Sequence, residues 1–173
     1  MTPMHAKPMP PLMDPLPASL SRRRWLSACA VLGIGSGARV EAHAQEARLP
    51  VAQSLPDELK AALARRQPLI VMASLEGCIY CLSARRSHLL PLWRGGQAIV
   101  QLDLRSPAAV RDFSGHVTTH DELSRRWNIT VTPTLLFIGP GGVELAERME
   151  GGYQPDFYGP YLAQRLESAV RRL

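Results

Sequence analysis

Residues 68–74, PLIVMAS, constrain this chain more than any other segment. They form a continuous apolar run with β-branched members, the pattern of a strand buried on both faces. Such a strand needs helices on both sides of its sheet, which points to an α/β architecture. Cys78 stands four residues beyond the run and Cys81 follows it, in the stretch EGCIYCL. The chain has only three cysteines. The pair is therefore a structural staple, half of a metal site, two small buried hydrophobes or a redox couple.

The surrounding segments supply the partners of that strand. Pro56 to about Arg66 reads as a helix, with proline at its start and arginine near its end. Residues 79–93 are helical, with Tyr80, Leu82, Leu89 and Leu92 apolar and polar residues between. Residues 97–104, QAIVQLDL, read as a second buried strand, and residues 105–118 as an irregular polar connection. Thr119 and Glu122 have the spacing of a capping box, and the helix they open is expected to end near Trp127. Residues 131–152 read as a strand, a Gly-Pro-Gly-Gly turn and a second strand, a hairpin by its turn chemistry. A closing helix starts at Pro155 or Asp156, with Pro160 in its first turns delaying its regular start. The predicted order is helix, strand, helix, strand, helix, strand, strand, helix. A right-handed crossover makes the first two strands parallel, and the hairpin adds antiparallel strands. The result is a mixed central sheet flanked by helices.

The first 44 residues stand apart. The formal charge is +5, and Lys7, Arg22, Arg23, Arg24 and Arg39 against Asp14 and Glu41 place +3 of it there. The remaining near-neutral 129 residues make no electrostatic case for nucleic acid. Arg85, Arg86, Arg125 and Arg126 read as solvated helix faces. The three arginines precede an apolar run from Trp25 to about Ile34, and Ala42-His43-Ala44 closes the segment. That is the order of a secretory leader with a cleavage site before Gln45, too short to span a bilayer. SRRRWL and the glycine-diluted apolar run favour twin-arginine export over the general secretory route. Leu26 to Cys29 also looks like a lipobox, but the apolar run continues past Cys29, so lipidation is disfavoured. The expectation is a leader over 1–44, one domain over 45–173 and a periplasmic destination.

With C-I-Y-C at a strand-to-helix junction, T-P-T (Thr132 to Thr134) entering a later strand, the hairpin, its glycine pair and the last helix in place, the chain resembles the thioredoxin family. The resemblance runs from about Pro56 to the end. It is nearest to exported bacterial thioredoxins of the sulfur-oxidation type. It implies a thioredoxin-like fold, a monomer without a cofactor, and a dithiol that exchanges with exported protein thiols and disulfides. A membrane electron donor would recharge it. Cys78 at a helix N-terminus has the lowered pKa of an attacking thiolate, and Cys81, one turn in, resolves the mixed disulfide. The resemblance makes Pro133 cis and has the Thr132 backbone pair with substrate as an added strand. It places Ile79 and Tyr80 beside the substrate, where they tune the redox potential. The chain departs from the best-known members in three respects. Tryptophan is absent before Cys78, Met72 occupies the place of a buried carboxylate, and no proline separates the cysteines. Glu76 is a candidate proton carrier, though it reads more simply as a surface carboxylate.

The competing readings are weaker. A zinc site needs four ligands, and one CxxC supplies two. Copper delivery, the alternative function, typically uses a CxxxC pair, and the spacing here is one residue short. A structural disulfide closing so short a loop stabilises little. His88, His116 and His120 read as surface residues, and Tyr153, Phe157 and Tyr161 as a core-packing stripe. The chain lacks a dimerisation domain and a large helical insertion, which favours a protein-disulfide reductant over an isomerase or a strong oxidant.

Overall fold

The computed structural model describes residues 48–173. The leader, its cleavage site and Cys29 lie outside the described residues. Helix α1 (Leu55–Ala64) precedes strand β1 (Leu69–Ser74). Helix α2 (Ile79–Ala84) runs through a π-helical turn at Arg85–Leu89 into α3 (Leu90–Arg94). Strand β2 (Ile99–Asp103), the short strands β3 (Ala109–Arg111) and β4 (Val117–Thr119), and α4 (His120–Arg126) follow. The hairpin β5 (Thr134–Ile138) and β6 (Glu144–Glu150) leads to α5 (Pro155–Val170). The four-stranded sheet has the order β2-β1-β5-β6. β1 pairs parallel with β2 and antiparallel with β5, and β5 pairs antiparallel with β6.

All six residues of β1 are buried, and their alternation separates two cores. Ile70 and Met72 pack with Cys81, Leu89, Phe137, Tyr158 and Leu162 on the side of α2 and α5. Leu69, Val71 and Ala73 pack with Leu55, Leu59, Val100 and Leu123 on the side of α1 and α4. Burying a large aliphatic side chain stabilises by about 1.5–3 kcal/mol, so this double coverage fixes β1 and the loop that leaves it.

Four sequence expectations need correction. Residues 105–118 are not irregular throughout, because β3 and β4 form an antiparallel ribbon there. The closing helix is not delayed by Pro160, since it begins at Pro155 and runs across it. The aromatic stripe is out of phase. Phe157 and Tyr161 are exposed, the buried helical face carries Tyr158 and Leu162, and Tyr153 precedes the helix. His120 is not a surface residue but is fully buried. The capping box is half formed: Thr119 Oγ1 accepts from the Glu122 amide, while the Glu122 carboxylate takes the Thr118 hydroxyl.

Asp112 organises the β3–β4 connection. Its carboxylate accepts the Ser114 and His116 amides at 3.0 Å each and pairs with Arg126 at 3.0 Å. Burial opposes its ionisation, but the two amides and the guanidinium together hold its pKa below the ordinary carboxylate value. A depressed folded pKa contributes stability above the unfolded pKa of about 4, and that contribution is lost as pH falls through the folded value. Asp112→Asn should lower stability near neutrality by about 1–3 kcal/mol. Urea midpoints measured between neutral and strongly acidic pH should also show a weaker acid dependence for the variant.

Candidate active site

The chain leaves β1 at Ser74, turns through Gly77 at φ +75° and enters α2 at Cys78. A side chain at Gly77 would be strained at that positive φ. Cys78 is the N-cap of α2, with φ −73° and ψ 109°. Its Sγ accepts the Cys81 amide at 3.1 Å and the Thr132 hydroxyl at 3.6 Å. Cys78 and Cys81 are joined in a disulfide, with their Cα atoms 5.2 Å apart. The two sulfurs have different surroundings. Cys81 is 1% exposed and belongs to the core cluster that holds Met72, whereas Cys78 is only partly buried at its edge. Ile79 and Tyr80, 68% and 56% exposed, form an apolar rim beside Cys78.

Thr132 and Pro133 lead into β5, whose first residue, Thr134, pairs with Ala73 near the end of β1. The Thr132–Pro133 peptide bond is cis. The Thr134 hydroxyl donates to the Val131 carbonyl at 2.8 Å, and the Gly151 amide donates to the Pro133 carbonyl at 2.8 Å. These bonds fix the loop against β6 while Thr132 faces Cys78. Among the described residues, neither backbone group of Thr132 pairs with another backbone group. The structure thus brings together Cys78, Cys81, Ile79, Tyr80, Thr132 and Pro133. Met72 is fully buried in β1, and Glu76 is exposed. Among the described residues, no three His, Cys, Asp or Glu side chains converge as a metal site, and no helix is long and apolar enough to cross a membrane.

Arg85, like His120, was misplaced by the sequence reading, which put it on a solvated helix face. It is half-buried, and its guanidinium donates to Gln101 Oε1 at 2.9 Å and to Ser74 Oγ at 3.0 Å. Gln101 in turn donates to Asp103 Oδ1 at 2.5 Å. Two signals point to this cluster. Gln101 and Asp103 are alternate residues, so they put two polar groups on one face of an otherwise apolar strand. Arg85 lies four residues after Cys81, on the same face of its helix.

The sequence profile of the thioredoxin-like domain family matches residues 55–165. No curated protein sequence matches the chain significantly. Solved structures similar to it include the oxidoreductase DsbH, at 17% identity and TM-score 0.49 over 82% of this chain and 95% of that one. The reduced periplasmic thioredoxin SoxS from Paracoccus pantotrophus is 22% identical, with TM-score 0.41 over 60% of this chain and 99% of that one. The oxidised C-terminal domain of DsbD from Neisseria meningitidis is 14% identical, with TM-score 0.44 over 63% and 90%. With residues 55–165 covered by the family profile and a mixed sheet flanked by helices carrying the cysteine pair, the chain belongs to the thioredoxin-like family.

Proposed function

We propose that this domain is an exported thiol–disulfide oxidoreductase that acts chiefly as a reductant of protein disulfides. The observation that carries the reading is the asymmetry of the pair. Cys78 lies at a helix N-cap, reachable, with two donors on its sulfur, and Cys81 is buried behind it. Unpaired amides and the positive end of the helix dipole stabilise a thiolate at that place.

The cycle begins with Cys78 as thiolate and Cys81 as thiol. Cys78 Sγ attacks one sulfur of the partner's disulfide, forming a mixed disulfide and releasing the partner's other sulfur as a thiolate. Cys81 then loses its proton and attacks Cys78 Sγ. The Cys78–Cys81 disulfide forms, the second partner sulfur leaves as a thiolate, and protons from water complete the two partner thiols. Two electrons pass from the domain to the partner, and a membrane-bound dithiol donor returns them. Ile79 and Tyr80 give the partner chain an apolar contact, and the unpaired backbone of Thr132 can accept it as an added strand. The leader expected over residues 1–44 supports a periplasmic site of action, on a single copy of the domain without a cofactor. Exported protein thiols and disulfides are then the partners, with a sulfur-oxidation carrier or an apocytochrome as candidates.

The reading is tested by incubating the reduced domain with insulin and dithiothreitol. Turbidity from the released insulin chains should rise well ahead of the dithiothreitol control. A domain that gives no acceleration, although both thiols titrate as reduced, is not a protein-disulfide reductant.

A further inference from the structure

Resolution demands that Cys81 lose a proton, yet its surroundings resist this. It is 1% exposed, and the cluster around it includes Met72, Ile70 and Leu89. Apolar burial raises a thiol's pKa. Met72 contributes no charge, and the only carboxylate in the loop before Cys78, Glu76, points to solvent. The attack on the mixed disulfide therefore needs an electrostatic source that the cysteine pair and the Thr132 loop do not supply.

Resting on the oxidoreductase reading, we propose that Arg85 is a positioning residue for the resolving step, holding a fixed positive charge one helical turn behind Cys81. Side chains four apart on a helix have Cβ atoms about 5–6 Å apart. They also lean toward the helix N-terminus, which for Arg85 is the direction of Cys81. The hydrogen bonds of the guanidinium show where the charge is held. The guanidinium reaches Ser74 Oγ, on the last residue of β1, and Gln101 Oε1 on β2. Ser74 lies two residues beyond Met72, on the same face of β1. The charge is thus held at the strand end that feeds the Cys78 loop.

The facing groups leave the charge in place. Asp103 on β2 is the opposite charge, but it meets Arg85 through the Gln101 amide, and the two make no direct ion pair. Arg48, before α1, and Arg86, on the same helix, add positive potential. Ser74 and Gln101 are neutral. Burial is the main influence on the guanidinium and lowers its pKa from an ordinary value so high that it stays charged. The helix departs from α geometry at this residue, since the π turn begins at Arg85. Such turns recur at functional sites.

The test uses Cys78→Ser, which leaves Cys81 as the single thiol of the described residues, in the chain beginning at Gln45. Its ultraviolet thiolate absorbance is followed against pH, with Arg85, with Arg85→Gln and with Arg85→Lys. An opposite charge within about 4–6 Å of a titrating group shifts it by about one unit or more. Arg85→Gln should raise the Cys81 midpoint by about one unit, a tenfold smaller thiolate fraction at neutral pH. Arg85→Lys should restore most of it. In the two-cysteine protein, Arg85→Gln should also make the reduction potential more negative, because the thiolate form loses its countercharge. An unchanged Cys81 midpoint in a folded Arg85→Gln protein overturns the proposal, as does a midpoint shifted equally by the glutamine and lysine variants. The absorbance readout needs no partner protein, so it stands or falls separately from reductase activity.

Discussion

Cys78→Ser should abolish insulin reduction, whereas Cys81→Ser should convert the domain into a trap for its partners. The two variants remove different steps. Without the Cys78 sulfur no mixed disulfide forms, because Cys81 lies 1% exposed beneath the surface. Rates should fall to the dithiothreitol background. Without the Cys81 sulfur the first attack is intact, since the N-cap position and the Thr132 hydroxyl remain. The mixed disulfide then persists, because its intramolecular resolving thiol is gone. Non-reducing electrophoresis of cell extracts should show adducts with Cys81→Ser that disappear on reduction, and mass spectrometry of them would name the partners. Adducts that persist in Cys78→Ser, or full activity in that variant, would mean that the roles are reversed or that the pair is not catalytic.

The largest expected effect on stability comes from His120. It opens α4 fully buried, and both ring nitrogens are used. Nδ1 accepts the Asp103 amide at 2.9 Å, which leaves Nε2–H to donate to the Ala52 carbonyl at 2.9 Å. One side chain therefore joins the segment before α1, the end of β2 and the head of α4. His120→Ala opens a cavity and leaves a buried amide and carbonyl without partners, a cost of about 3–5 kcal/mol. That is a large share of a typical domain's stability of about 5–15 kcal/mol. Thermal melts should show Tm lower by roughly 10 °C or more. His120→Leu separates the two contributions, since it restores volume but neither hydrogen bond, and it should stay well below the parent. His120→Asn and His120→Gln, which each retain polar atoms, should lose less. A leucine variant as stable as the parent would show that the imidazole is only filling space.

The middle of the sheet was legible because β1 and β5 are unbroken apolar runs. PLIVMAS cannot be half-exposed, and TLLFI is buried at all five positions. The Thr119 cap and the Gly-Pro-Gly-Gly turn marked their element ends through local chemistry, which acts before any tertiary contact forms. The cysteine pair was legible for a similar reason, since its position follows from the strand-to-helix junction that precedes it. What escaped the reading depends on long-range packing. β3 and β4 have three residues each, and only Val110 among them is buried, too little for an alternation to register. The α5 stripe was read one residue out of phase, because the four-residue spacing of Tyr153, Phe157 and Tyr161 was taken for the core face, whereas the helix buries Tyr158 and Leu162. His120 and Arg85 are single polar residues whose partners lie far away in sequence, 68 residues for the Ala52 carbonyl and 16 for Gln101. A lone histidine or arginine carries no local mark of what it will meet.

Site-resolved alkylation of the reduced domain tests the central claim most directly. A short pulse of iodoacetamide at mildly acidic pH, quenched and read by peptide mass spectrometry, reports which sulfur is the reachable thiolate. The free thiol value is about 8.5, so an unassisted cysteine is almost wholly protonated under those conditions. Cys78, at the helix N-cap with its two donors, should be labelled rapidly, while Cys81 should stay unmodified until the pH is raised or the protein unfolds. Equal labelling of the two cysteines, or Cys81 reacting first, would contradict the assignment of Cys78 as the attacking sulfur.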